Sequence, residues 1–278
     1  MHLQTIIIAA FSASLVSGHG VITWVKGANG VDMPGLAVIP GTPRDCSSLR
    51  CGAQADSSII IKADFKVVDP NGDGVGSPLG QTPRGGGVLA SRVIADFMGP
   101  KSKRKRRFET SFGGFFGGPF VGKTVKSAHT DTEPARLAPG AGRGRGLPTT
   151  NDNNSLNFIY HQVDGNGGGP YVCEVDPTTG GTDQSAFMPC HLTQNIPGIV
   201  PGFSLVTKTD FDCVAQFPQD MVCRGEISGV KNVCVFKIYN NNPYGPFGSS
   251  GAFTQSPELR RQLGGRERLR KRGSPFTA

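Results

Sequence analysis

His19 and the glycine after it open the part of the chain that reads as the mature protein. Residues 1–18 read as a secretory signal peptide. Its apolar core runs from Ile6 to Val16, and Val16 and Gly18 are small enough for the positions before a peptidase cut, although Met1 to Thr5 carries no positive charge. Cleavage after Gly18 would leave His19 with a free α-amino group beside its own imidazole. The amine and Nδ1 of one residue can chelate one metal ion. Nitrogen donors suit copper, which heads the divalent affinity series. Such a brace needs a second imidazole. His161 is the first choice, because it falls near the end of a predicted strand that would hold it. His191, beside Cys190, is the alternative. His129 lies in a linker with nothing to position it. Tyr239 and Phe236, on the last predicted strand, are the candidates for an axial position. Copper is the expected cofactor, and His19 and His161 are the expected metal-binding residues.

The elements that must position these residues follow from periodicity and turn chemistry. Val88, Leu89, Val93, Phe97 and Met98 recur at helical spacing, and Gly99-Pro100 ends that helix. Strands are expected at Leu156–Val163, Tyr171–Val175, Phe203–Thr207, Cys213–Phe217 and Val230–Tyr239, with glycine, proline and asparagine between them. This spacing predicts a mainly β protein: an antiparallel β-sandwich with long loops, one short helix and a disordered internal linker. Residues 19–255 form the domain, the low-complexity stretch 99–154 interrupts it, and residues 256–278 are read as a disordered basic tail.

The formal charge of +8 misstates the body of the protein. Lys101 to Arg107 holds six positive charges and Pro257 to Ala278 a net of five, which leaves the remainder at −3. In an exported chain those runs argue for solvated appendages, dibasic processing or attraction to anionic wall polymers, not nucleic-acid contact. Apart from the signal, no apolar run approaches a membrane span. The expected product is a secreted monomer. Seven cysteines in an exported chain predict disulfides, and Cys46 and Cys51 are spaced to close a local loop. The odd number leaves one thiol free, paired between molecules, or misplaced by an error in the coding sequence. Asn153-Asn154-Ser155 is a glycosylation sequon and marks a surface loop.

Two motifs do not hold up. Gly117 to Thr124 satisfies a phosphate-loop pattern, but it lacks the strand before it and contains Pro119. Asp69 to Gly74 matches half a calcium loop, but position twelve would be Gly80 instead of a glutamate. No serine-nucleophile elbow or HExxH zinc motif is present.

Many short motifs carry a family resemblance. They begin with His19-Gly-Val-Ile, Lys26-Gly-Ala-Asn-Gly-Val31 and Pro34-Gly-Leu. Gly41-Thr-Pro-Arg-Asp-Cys46, Cys51-Gly-Ala-Gln-Ala-Asp56 and Ser77-Pro-Leu-Gly80 follow. Later come Gly146-Leu-Pro-Thr-Thr150, Tyr160-His-Gln-Val, Gly180-Gly-Thr-Asp183 and Asn195-Ile-Pro-Gly198, then Asn232-Val-Cys234, Gly245-Pro-Phe-Gly248 and Gly251-Ala-Phe-Thr-Gln255. Together they resemble the Egh-type family of secreted fungal proteins, abundant in appressoria and associated with virulence. That resemblance implies action at the fungal cell wall or host surface. The exposed terminal histidine is similar to that of lytic polysaccharide monooxygenases, which also use a β-sandwich. This second resemblance implies a copper brace of His19 and His161 and oxidative cleavage of a cell-wall or host polysaccharide. The rival expectations are a non-catalytic, disulfide-stabilised effector or wall-binding protein, and a copper-binding protein without oxidase activity.

Overall fold

Alternation builds this molecule. Leu156, Phe158 and Tyr160 on one strand, and Cys234, Phe236 and Ile238 on another, place an apolar side chain at every second position and so give each strand one oily face. In the computed structural model, which describes residues 20–60, 76–99 and 139–272, these faces meet. The strands in chain order are β1 (Gly20–Lys26), β2 (Asp32–Pro34), β3 (Ser58–Ile59), β4 (Gln81–Thr82) and β5 (Gly86–Gly87). After helix α1 (Ala90–Met98) come β6 (Ser155–Gln162), β7 (Val172–Asp176), β8 (Met188–Gln194), β9 (Thr209–Gln216), β10 (Gly225–Ile227), β11 (Val230–Tyr239) and β12 (Phe247–Thr254). Helix α2 (Pro257–Arg272) follows.

They make one 12-stranded antiparallel sheet in the order β2-β1-β6-β9-β8-β7-β11-β12-β3-β4-β5, with β10 on β11. The sheet folds over itself at β8, whose first residues pair with β7 and whose last pair with β9. The two leaves pack as a sandwich. Where their other edges meet, the Ile22 amide of β1 donates to Ser249 Oγ of β12 at 2.9 Å. Between the leaves, Phe217 and Phe253 stack with centroids 4.4 Å apart, and Phe236 meets Phe158, Phe217 and Phe253 at tilted angles. A second apolar cluster lies on the outer face of β11 and β12, where Val233, Val235 and Ala252 are covered by Leu36, Leu79, Val88 and Ile94.

The mainly β sandwich is as expected, with strands at β6, β7, β9 and β11 within a few residues of their predicted positions. Three expectations are corrected. Phe203–Thr207 is loop; the strand of that region is β8, whose Pro189 and polar residues hide it. Residues 139–154, read as linker, are ordered. The amides of Gly140 and Gly142 donate to Asp96 and Phe97 carbonyls of α1, and Leu147 is buried. Residues 257–272, read as disordered tail, form α2. Ser256 Oγ accepts from the Leu259 amide at 3.1 Å, Pro257 follows at the first helical position, and Leu259 and Leu263 are buried one turn apart. The signal peptide, Lys101–Arg107, the phosphate-loop pattern and the calcium-like turn lie outside the described residues.

Three disulfides form: Cys46–Cys51, Cys173–Cys190 and Cys223–Cys234. The seventh cysteine, Cys213, is buried on β9 inside the main core, and burial pushes its thiol up to about 12. Cys213 thus behaves as a small apolar residue. The loop carrying Cys46–Cys51 is fixed by a two-pronged ion pair. Arg44 Nη1 and Nη2 lie 2.9 and 2.5 Å from the two oxygens of fully buried Asp56, which also accepts the Ile39 amide. Asp56→Ala strands the guanidinium in a mostly buried site and is expected to cost about 3–5 kcal/mol. Chemical denaturation will measure this, and a loss below measurement error would refute the role given to the pair. Ellman's reagent should find no thiol in the folded, unreduced protein and one per chain after unfolding without reductant.

Candidate functional site

One pole of the sandwich is built by the loops 163–170, 195–208 and 240–246 and by the start of β1. Hydrogen bonds lace these loops together. The Ser204 amide donates to Gly165 O at 2.7 Å, and Asn240 Nδ2 donates to Asn166 O and Gly168 O at 3.0 and 2.9 Å. Asn242 Nδ2 reaches Gly202 O at 3.2 Å, and Gln54 Nε2 reaches Asp164 Oδ2 at 3.2 Å. Gln162, the last residue of β6, is fully buried and donates to Asp164 O at 3.1 Å and Val206 O at 2.5 Å. Its Oε1 has no partner among the described residues.

His161 precedes Gln162 and points to the other face of β6. Phe158 and Tyr160 face the core, so His161 lies on the outer face of its leaf. It is 4 % exposed. Its Nδ1 lies 2.6 Å from Oδ1 of Asp210, the residue directly across on β9, and that carboxylate is half exposed. An ionised carboxylate only accepts, so Nδ1 carries the proton and, in the neutral ring, Nε2 keeps a lone pair. Nε2 is buried and has no partner among the described residues. An orphaned buried acceptor costs about 1–3 kcal/mol. A carboxylate on one ring nitrogen and a free second nitrogen is the arrangement in which an outer partner orients a metal-binding histidine.

On the other side of His161, Val21 of β1 is paired with it, and Gly20 is paired with Gln162. Gly20 is where the described chain begins. A Cβ on Gly20 would lie 1.8 Å from the hydroxyl oxygen of Tyr160. Tyr160 and Tyr171 share a hydrogen bond between their hydroxyls, and both lie within reach of Gly167 O, at 3.2 and 3.1 Å. Burial, then the neighbouring Tyr171, pushes the Tyr160 phenol well above its ordinary range. This tyrosine pair walls the start of β1 from the inside.

The residues expected from sequence fall in different places. His19 lies outside the described residues, as does His129. His191 is exposed on β8 and paired with Gln216, at the far end of β9 from Asp210. Six residues of strand separate those two positions, roughly 20 Å, so the structure does not bring His191 to His161. Phe236 sits in the core between the leaves, and Tyr239 lies on the outer face of the opposite leaf, where its hydroxyl donates to Glu174 Oε1 at 2.8 Å. Neither reaches His161, because strand alternation and the thickness of the sandwich stand between. Among the described residues no group of three or more His, Cys, Asp or Glu side chains could hold a metal by itself. Sequence reasoning missed Asp210, Gln162 and Tyr160. Asp210 and Asp212 mark the outer face of β9 by alternation, but their register against β6 is not written in either strand alone.

Residues 17–248 match the family model of Egh16-like virulence factors. The chain is 38% identical over 276 residues to the appressoria-specific virulence factor GAS2 of Pyricularia oryzae, covering 94% of this chain and 91% of that one. It is 28% identical over 267 residues to the appressoria-specific virulence factor GAS1 of the same fungus, covering 94% of this chain and 84% of that one. No solved structure matches. Gly20→Ala sets a methyl group against the Tyr160 ring, and overpacking of this kind costs about 1–3 kcal/mol. A lowered melting temperature is the expected result, and the loss should be smaller when Gly20→Ala is made in a Tyr160→Phe background, where the hydroxyl that the methyl would strike is gone. A variant as stable as the parent would show that Tyr160 does not hold this position.

Proposed function

We propose that this chain, a member of the Egh16-like virulence factor family, is an exported protein of the fungus–host boundary with a mononuclear copper site. The α-amine and imidazole of His19 and Nε2 of His161 would hold the ion. The observation that carries this reading is the buried Nε2 of His161, without a partner among the described residues, on the strand paired with β1. Three disulfides suit an oxidising compartment, and among the described residues no helix is long and apolar enough to cross a membrane.

Copper bound there would supply one-electron chemistry toward oxygen or peroxide, directed at a cell-wall or host polysaccharide. The chain's own residues have separate tasks. Asp210 holds the Nδ1 proton and so keeps Nε2 a lone-pair donor. Val21 packs beside His161 and keeps water from its ring. Tyr160 and Tyr171 fix the path of β1 where it leaves the core. Around this pole the surface carries Ile199, Val200, Leu205, Val206 and Tyr244, all exposed, with Leu205 at 97 %.

Those exposed side chains favour a second reading, a disulfide-stabilised effector that binds through this pole without catalysis. Secreted full-length protein whose first residue has been verified as His19 separates the two. Calorimetric titration should show one equivalent of Cu(II), with the EPR spectrum of nitrogen ligands. His161→Ala should abolish tight uptake, Asp210→Asn should weaken it roughly 10–100-fold, and His191→Ala should leave it unchanged. No copper uptake by correctly processed protein would end the copper reading. Uptake without oxidised oligosaccharides, in the presence of reductant, would leave a copper-binding protein without oxidase activity.

A further inference from the structure

We infer that Asn153 carries an N-linked glycan, at the pole of the sandwich opposite His161. The inference rests on the export part of the reading above and not on copper. Asn153-Asn154-Ser155 is the chain's one Asn-x-Ser/Thr triplet without proline at x. The structure gives its two asparagines opposite fates. Asn154 adopts a positive φ of 58° and is buried; its Nδ2 donates to Pro218 O at 2.8 Å and its Oδ1 accepts from Gln255 Nε2 at 3.3 Å. Asn153 is exposed, and its side-chain amide makes no hydrogen bond among the described residues. Its backbone is nonetheless held firmly. The amide donates to Asn151 Oδ1 at 3.1 Å, and the carbonyl accepts from Gln216 Nε2 and Gln219 Nε2 at 2.7 and 2.8 Å. Only the side-chain amide is left for solvent.

The triplet ends on Ser155, the first residue of β6, the strand that carries His161 at its other end. Six residues of β6 separate Ser155 from His161, roughly 20 Å. A glycan at Asn153 leaves the pole around His161 uncovered and shields the pole where Ser256 Oγ meets Asp152 Oδ1 at 2.7 Å and α2 begins. The modification needs a lipid-pyrophosphate-linked oligosaccharide as donor. The bond from the sugar anomeric carbon to the pyrophosphate oxygen breaks, and a bond to Asn153 Nδ2 forms. The amide proton leaves to a base, and the lipid pyrophosphate is the leaving group. No oxidant or reductant is required.

The test uses the full chain expressed in a fungal host, with medium and cell extract analysed separately. Peptide N-glycosidase should lower the apparent mass of the protein and convert Asn153 to aspartate in the peptide map. Asn153→Gln and Ser155→Ala should remove the shift, and Ser155→Thr should keep it. The wild-type peptide map decides the matter even if a variant fails to fold. Protein recovered from the medium with Asn153 unmodified would overturn the glycan while leaving export intact. Protein confined to cells, with residues 1–18 still attached and Asn153 unmodified, would overturn both.

Discussion

The antiparallel register of β1 on β6 is the constraint on which the candidate site depends. Val21 lies opposite His161 and Gly20 opposite Gln162. A slip of one residue would turn every side chain of β6 to the other face. His161 would then enter an aromatic core, and Tyr160 would lose its place against Gly20. Burial forbids that slip. Leu156, Phe158 and Tyr160 each lose nearly all contact with water on one face, while Asp210 waits on the other. The same pairing brings β1 to the side of a histidine some 140 residues later in sequence.

Polar groups pin the loops that the sheet cannot hold. Asp56 anchors the Cys46–Cys51 loop through Arg44. Asp176 does the same for the turn after β7. Burial alone would raise its pKa, but the hydroxyl and amide of Thr179, with the amides of Thr178 and Gly181, outweigh burial and hold its carboxyl below the ordinary range. Lys237, buried on the outer face of β11, donates to Pro78 O and Gln184 Oε1, pairs with Glu174 and rests 4.0 Å from the centre of the Phe187 ring. Of these, Asp56 ends the motif Cys51-Gly-Ala-Gln-Ala-Asp56, and the loop closes on its buried, fully engaged carboxylate.

The two poles of the sandwich differ in what they expose. The His161 pole shows aliphatic side chains on loops tied down by backbone hydrogen bonds. The other pole shows asparagines, an aspartate and the start of α2. A rigid loop with exposed apolar tips is arranged for contact, and a polar turn with a free amide is arranged for solvent.

Strand identity was written locally. Val230–Tyr239 and Leu156–Val163 announce themselves by alternation, and the stop at Gly99 ends α1 where expected. Strands β8 and β12 were hidden. Pro189 breaks the pattern of the first, and glycines fill the second because neighbours occupy the space a side chain would need: at Gly251 a Cβ would meet the Phe236 ring at 2.5 Å. That His161 stands on a strand could be reasoned from its sequence, but its pairing with Asp210, an Nε2 without a partner among the described residues, and the distance of Tyr239 and Phe236 from it could not. Periodicity specifies which face of one strand is buried, because water acts on each residue where it stands. Which strand lies beside which, and in what register, is settled by packing among residues far apart in the chain. No short stretch of sequence contains that competition.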